Sequence, residues 1–234
     1  MAGSSGINSK TRDEVIGMLK KSGGVITNSH IIYTSGKHGS VYINKDALYP
    51  HTKYSSRIGE LFAERYKGSN IEIVCAPALG GIILSQWTAY HLSRSSSRSN
   101  RDSSGQAKKT KREVLGIYTE KDADKNQVFT RGYDKFVKGK NVLIVEDLTT
   151  TGGSVQKVVH TVKAAGGKVK AVAVMVNRDP EKVNSKMMGA PFSSLAVLKA
   201  QAWDEKDCLL CKKGVPINTT VGHGKKFLEE KKKK

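Results

Sequence analysis

The chain has 234 residues, of which 38% are hydrophobic, so it is long enough to bury one substantial core and we expect a single domain. It contains no run of 18 apolar residues and no apolar segment near its start, which argues against a membrane span and a secretory signal and predicts a cytoplasmic protein. Of the net charge of +19, +6 lies in residues 94–112 and +4 in residues 225–234. We expect the first segment to be a disordered insertion and the second to be a solvated basic tail, rather than a surface that binds nucleic acid.

The first half of the chain predicts two helices, a hairpin, and a buried strand that leads into a third helix. Apolar residues recur at helical spacing in residues 9–22 and 53–66, and residues 31–46 contain two β-rich runs separated by a glycine turn. The run "IEIVCAP", residues 71–77, is typical of a buried strand. The glycines that follow it indicate a turn that opens a helix.

The second half of the chain predicts strands that alternate with helices. Strands are indicated for residues 113–121, 141–146, 168–176 and 193–200. Such alternation favours right-handed crossovers, a parallel sheet and hence an α/β fold. The polar connection over residues 122–140 is longer than a compact domain needs, which predicts a mobile functional loop.

The stretch "VLIVEDLTTTGGS", residues 142–154, predicts a strand, a polar turn and the start of a helix. Such a turn lies at the carboxyl edge of a parallel sheet, where its backbone N–H groups and hydroxyls suit a phosphate. Glu146 and Asp147 cannot share that phosphate, but they suit ribose hydroxyls or a divalent cation. The alternative is a capped turn with incidental acids, against which stands the cost of burying two adjacent carboxylates without a ligand.

The cysteines and histidines predict no complete metal site. Cys75 lies in an apolar run and is expected to be a buried core thiol. Cys208 and Cys211 form a lone C-x-x-C, for which the readings are reduced structural thiols, half of a metal site shared between subunits, or a redox pair. His38 and His223 lie in glycine-rich stretches and are interpreted as turn or surface histidines.

The stretch over residues 142–154 resembles the 5-phosphoribosyl 1-diphosphate (PRPP) motif of the type I phosphoribosyltransferases. Within that family, "YTSGKHGSVYINKDALYPH", "APALGGIIL", "NRD" and "CLLCKKGVPINTTVGHGKKF" are similar to stretches of the orotate phosphoribosyltransferases. The resemblance implies a parallel sheet flanked by helices, with a small hood built from about residues 10–50 and a C-terminal part. It also implies transfer of the phosphoribosyl group from PRPP to orotate, Mg²⁺ as cofactor, and a homodimer.

The resemblance also implies roles for individual residues. It assigns PRPP binding to Glu146, Asp147, Leu148, Thr149, Thr150, Thr151, Gly152, Gly153, Ser154, Lys125 and Arg131. It assigns orotate binding to Thr150 and Arg178, and catalysis to Asp147 and Lys121. Arg178 has a physical case of its own, because a planar guanidinium fits a carboxylate bidentately and orotate carries one. No residue of the chain is assigned as a metal ligand.

Two other functions remain open on the sequence. A purine or uracil phosphoribosyltransferase would keep the phosphate motif and recognise a base without a carboxylate. An RNA-binding regulator built on the same fold would use the basic insertion as its contact surface, and its binding would weaken steeply with salt.

Overall fold

The computed structural model describes residues 8–33, 35–95, 97–101, 107–199 and 201–232. The chain divides into two compact units, of which the first contains Met1–Ile16 and His51–Leu198 and the second contains Gly17–Pro50 and Lys199–Lys234.

Within the described ranges the chain forms eight α-helices and thirteen β-strands. The helices are α1 (Ser9–Lys21), α2 (Thr52–Arg65), α3 (Gly80–Ser95), α4 (Asp134–Val137), α5 (Gly153–Ala164), α6 (Ser185–Met188), α7 (Leu209–Lys212) and α8 (Gly224–Lys231). The strands are β1 (Val25–Ile26), β2 (Ile31–Ile32), β3 (His38–Gly39), β4 (Tyr42–Ile43), β5 (Ile73–Pro77), β6 (Ser97–Arg101), β7 (Ala107–Lys111), β8 (Leu115–Lys121), β9 (Gln127–Val128), β10 (Asn141–Thr149), β11 (Lys168–Asn177), β12 (Phe192–Val197) and β13 (Ala202–Trp203). Among the helices in these ranges, none combines the length and apolar character needed to cross a bilayer.

A six-stranded sheet with the order β12-β11-β10-β5-β8-β9 forms the centre of the first unit. The first five strands of this order run parallel, and β9 runs antiparallel to β8. Every residue from Ile73 to Pro77 and from Val142 to Val145 is buried, as expected for strands whose two faces are both covered. The predicted α/β fold, a parallel sheet flanked by helices, is confirmed.

The strand order of this sheet reverses between β5 and β10. From β5 the chain passes through α3 to β8 on one side, and it later crosses to β10 on the other side of β5. The carboxyl ends of β5 and β10 are therefore followed by connections that diverge. In open α/β sheets, ligands bind outside the carboxyl ends of the strands at such a point.

Helix α2 buries one face in the first unit and carries an ion-pair network on the other. Ile58 and Phe62 are fully buried. On the outer side, the Arg57 guanidinium lies 2.7 Å from the carboxylates of both Glu14, in α1, and Glu60. The hydrogen bond from Arg57 holds the pKa of the Glu14 carboxyl below its usual value. Both helices occur where the apolar spacing predicted them.

The second unit contains a three-stranded sheet with the order β13-β3-β2 and a separate pairing of β1 with β4. The predicted hairpin over residues 31–46 is present as far as Gly39, which pairs antiparallel with Ile31, whereas the rest of the second predicted run pairs with β1. The interpretation of His38 as a turn or surface histidine is wrong. His38 belongs to β3 and is fully buried, because β3 is the central strand of this sheet.

The basic tail contains a helix, α8, where its polar composition had predicted no packed structure. Phe227 and Leu228 supply the apolar contacts, since both are partly buried and the Phe227 ring packs edge-on against His38 at a centroid distance of 5.2 Å. The expectation of an unstructured tail is therefore wrong for residues 225–231, and residues 233–234 lie outside the described part of the chain.

Two further segments carry more secondary structure than expected. In the predicted disordered insertion over residues 94–112, β6 and β7 pair antiparallel with Ser97 opposite Lys111, while residues 96 and 102–106 lie outside the described ranges. The polar connection over residues 122–140 contains β9 and α4. Its role as a mobile loop stays a prediction.

Candidate active site

Two buried acids, Glu146 and Asp147, lie near the carboxyl end of β10. Their exposed fractions are only 8% and 3%, and the Asp147 backbone N–H donates to Glu146 Oε1 at 2.9 Å. On the β5 side, ladder pairing ends at Ile144 opposite Cys75, so both acids lie beyond the paired part of that edge. Buried carboxylates that project past a strand pairing are suited to contact a ligand with hydroxyl groups or a cation.

The turn between β10 and α5 presents backbone N–H groups at the start of a 12-residue helix. Gly152 is the residue before α5 and has φ +76°, and no side chain caps the helix start. The first N–H groups of a helix have no intrahelical partner and favour anions. Thr150 and Thr151 are exposed in this turn, which places hydroxyl groups beside those N–H groups. The arrangement is that of a phosphate cradle.

A second turn, between β5 and α3, approaches the two acids. A Cβ atom added to Gly81 would lie 2.7 Å from Ala76 Cβ and 3.5 Å from Glu146 Oε1. Only glycine therefore fits between the end of β5 and the acidic pair. The stretch "APALGGIIL" contains this turn, and none of its residues is among the predicted site residues, since its glycines carry no functional side chain.

Arg178 follows β11 and is tied to the end of β10. Its backbone N–H donates to the Thr149 carbonyl oxygen at 2.9 Å, directly before the phosphate cradle. The neighbouring Asn177 side chain accepts a hydrogen bond from the Asp179 N–H at 3.1 Å and donates to the Val183 carbonyl at 3.1 Å. These bonds fix the backbone from which Arg178 projects. The register of β10 and β11 thus brings together the predicted residues 146–154 and Arg178.

The three predicted loop cations lie on and after a hairpin formed by β8 and β9. Lys121 ends β8 opposite Gln127, and Lys125 lies in the turn with φ +61°. The Lys157 side chain, from α5, donates to the Lys125 carbonyl at 2.7 Å, which attaches the hairpin to that helix. Lys121 and Lys125 expose their ammonium-bearing side chains. The hairpin therefore stands beside the helix that begins at the cradle.

Arg131, the third loop cation, is exposed and paired with Glu120. Its guanidinium lies 3.2 Å from a Glu120 carboxylate oxygen. Hydrogen bonds from Thr130 and Arg131 lower the pKa of Glu120, and the bond to Glu120 raises the pKa of Arg131. In this conformation the Arg131 guanidinium therefore has a carboxylate partner of its own.

Known proteins resemble this chain in sequence. The phosphoribosyl transferase domain family matches residues 44–192. The orotate phosphoribosyltransferase of Caldanaerobacter subterraneus subsp. tengcongensis is 33% identical over 193 residues, which cover 82% of this chain and 88% of that protein. The Thermotoga maritima protein of the same name is 34% identical over 210 residues, covering 89% of this chain and 98% of the relative.

A solved structure shares the fold. Mycobacterium tuberculosis H37Rv orotate phosphoribosyltransferase, in complex with 5-phospho-alpha-D-ribosyl 1-diphosphate, superposes with a TM-score of 0.54 at 21% identity. The match covers 80% of this chain and 96% of that one.

Proposed function

This chain belongs to the phosphoribosyltransferase family, and on that premise we propose that it transfers the 5-phosphoribosyl group of PRPP to orotate. The products are orotidine 5′-monophosphate and pyrophosphate, a step of UMP synthesis. The observation that carries the proposal is the acidic pair Glu146–Asp147, buried at the reversal of strand order and followed directly by the phosphate cradle. An anion site next to buried carboxylates matches a sugar phosphate, with N–H groups for the phosphate and carboxylates for the diol.

The polar and charged residues among those predicted then have defined tasks. Glu146 and Asp147 accept hydrogen bonds from the ribose hydroxyls, and the cradle over residues 149–154 holds the 5′-phosphate. Arg178 binds the orotate carboxylate, and Thr150 hydrogen-bonds the same base from the edge of the cradle. The family likeness supports these assignments, and so does the backbone contact that brings Arg178 to Thr149.

The reaction replaces one bond at the ribose anomeric carbon with another. The C–O bond to the diphosphate breaks, N1 of orotate forms the new bond, and the N1 proton is released. Positive charge develops on the ribose and negative charge on the departing diphosphate, so catalysis rests mainly on positioning and electrostatics. Asp147 stabilises the ribose side of this charge separation. Lys121, with Lys125 and Arg131, neutralises the leaving group and excludes water.

Mg²⁺ fits the donor set of this site. Glu146 and Asp147 offer hard carboxylate oxygens, and Mg²⁺ is commonly bound by one or two carboxylates together with substrate phosphates. Either acid would hold the ion, directly or through water. When bound, the ion supplies positive charge to the diphosphate.

Replacement of Asp147 by asparagine tests the proposed role of the acidic pair. Asp147→Asn keeps the shape of the side chain but removes its charge, so we expect transfer to be largely lost while the melting temperature stays close to that of the wild type. Asp13→Asn, which removes the same charge from an exposed position on α1, is the matched control and should retain activity. Near-normal turnover and an unchanged KM for PRPP in Asp147→Asn would reject the ribose assignment.

A further inference from the structure

A cluster of two histidines and two cysteines lies within the second unit, and none of these four residues is assigned a role in the reaction. His30, His38 and Cys208 are buried and Cys211 is partly buried. One possible ligand atom from each side chain lies within 4.8 Å of the other three. The cysteines are free thiols. The C-x-x-C pair, half of a metal site on the sequence, therefore has two imidazoles as additional neighbours.

Hydrogen bonding orients the ring of His30 towards the cluster. Its Nδ1 lies 2.8 Å from the Val215 carbonyl oxygen. A carbonyl only accepts, so Nδ1 carries the proton and Nε2 presents a lone pair to the cluster. A backbone carbonyl that fixes the second ring nitrogen is the usual support of a metal-binding histidine.

The His38 ring contacts the other members of the cluster through Nδ1. This atom lies 2.9 Å from His30 Nε2 and 3.3 Å from Cys211 Sγ. Nε2 has no hydrogen-bond partner among the described residues, so all recorded polar contacts of this buried ring are made through Nδ1.

The distances match a tetrahedral ion. For a Zn–N length of about 2.05 Å and a Zn–S length of about 2.3 Å, tetrahedral geometry separates nitrogen from sulfur by about 3.6 Å and two nitrogens by about 3.3 Å. His30 Nε2 lies 3.6 Å from Cys208 Sγ and 3.7 Å from Cys211 Sγ. The two imidazole nitrogens, 2.9 Å apart, need to separate by only a few tenths of an ångström.

We propose that His30, His38, Cys208 and Cys211 bind one Zn²⁺ ion in a closed tetrahedral site. Two thiolates and two neutral imidazoles balance the charge of a divalent ion, so the buried site is neutral overall. Thiolate and imidazole ligands favour Zn²⁺ over Mg²⁺, which prefers oxygen. The site is therefore chemically separate from the Mg²⁺ expected at the acidic pair.

The ion has a structural role. Four protein ligands leave no open position for a substrate, as in structural zinc sites. His30 lies directly before β2 and His38 in β3, whereas Cys208 lies directly before α7 and Cys211 within it. The two pairs are far apart in sequence, but both belong to the second unit. Zinc therefore joins the N-terminal and C-terminal segments of this unit. The inference does not depend on the proposed reaction.

Metal analysis of the full-length chain, expressed with added zinc and purified without chelators, tests the site directly. We expect about one zinc per chain in the wild type and in His223→Gln, a control that removes an exposed histidine of the same unit. Cys211→Ser and His38→Gln should each retain less than about a fifth of the zinc. Chelation should lower the melting temperature of the wild type by more than about 5 °C.

Cobalt substitution keeps the test decisive where a variant fails to fold. Wild-type chain loaded with Co²⁺ should show the visible bands of tetrahedral cobalt and a thiolate charge-transfer band. Zinc near zero in the wild type together with absence of these bands would overturn the proposal. A mass lower by two hydrogens, from a Cys208–Cys211 disulfide in protein purified without reductant, would overturn it in favour of a redox pair.

Discussion

Replacing Gly152 by alanine should destabilise the turn between β10 and α5. Gly152 has φ +76°, in the left-handed region that an L-residue enters at a cost of about 1–2 kcal/mol. The added Cβ would lie 2.8 Å from Met187 Sδ and 2.9 Å from Met188 Cε. Because both contacts are with the far ends of flexible thioether chains, moving them adds less than about 1 kcal/mol.

The total loss in the free energy of unfolding is therefore about 2 kcal/mol for Gly152→Ala. In a chain of this size that lowers the melting temperature by about 4–8 °C. Gly153→Ala is the matched control, since no positive φ is required there and its Cβ would meet only Thr151 Oγ1 at 3.9 Å. We expect the control to melt within about 2 °C of the wild type.

Thermal unfolding followed by circular dichroism measures the difference, and initial rates at varied PRPP concentrations show its effect on the cradle. The KM for PRPP should rise in Gly152→Ala, because the turn that carries the phosphate-facing N–H groups is displaced. Equal melting temperatures for the two alanine variants would refute the argument from the backbone conformation. A large loss of stability in Gly153→Ala would refute the geometry of the turn.

Three further variants test other parts of the account. Arg178→Ala should raise the KM for orotate by about 10- to 150-fold, the equivalent of 1.5–3 kcal/mol, and change the KM for PRPP much less; equal effects on both would count against carboxylate recognition. Replacing residues 97–111 by two glycines should leave the melting temperature within about 4 °C, because within the described ranges β6 and β7 pair only with each other and their paired ends lie side by side. A larger fall would show that the insertion packs against the body. If the chain is a homodimer whose hairpin acts across the interface, co-expressed Lys121→Ala and Asp147→Asn chains should recover about a quarter of wild-type activity, since about half of randomly mixed dimers are mixed and each has one intact site. If confirmed mixed dimers show no recovery, either the hairpin acts in the site of its own subunit or Lys121 is not the essential cation.

The strand, turn and helix around Glu146 and Asp147 could be predicted from the sequence because each is encoded locally. An apolar run predicts the strand, two glycines predict the turn and valines at helical spacing predict the helix, and the three signals are adjacent in the chain. The reversal of strand order then places the turn at the ligand-binding edge of the sheet. The approach of Arg178 to Thr149 depends instead on the register of two parallel strands. Sequence could suggest that register only through the family resemblance.

The cluster in the second unit could not be predicted in the same way. His30 and Cys208 are 178 positions apart, and the two histidines become neighbours only through the register of the β2–β3 hairpin. The hairpin register, the pairing of β3 with β13 and a parallel bridge between His30 and Ile217 bring these segments together. Helix α8 was missed for a different reason, because two apolar residues among many lysines carry a weak signal until a partner such as His38 is known.

The most direct test of the proposed reaction is the PRPP-dependent loss of orotate absorbance. With Mg²⁺ present, we expect orotate to be consumed and one pyrophosphate to be released for each orotate, with no comparable reaction when uracil or hypoxanthine replaces it. Consumption of uracil or hypoxanthine but not orotate would contradict the assignment of the base and of Arg178. No reaction with any base, together with RNA binding that weakens steeply as salt is raised, would contradict the proposal that the protein is an enzyme.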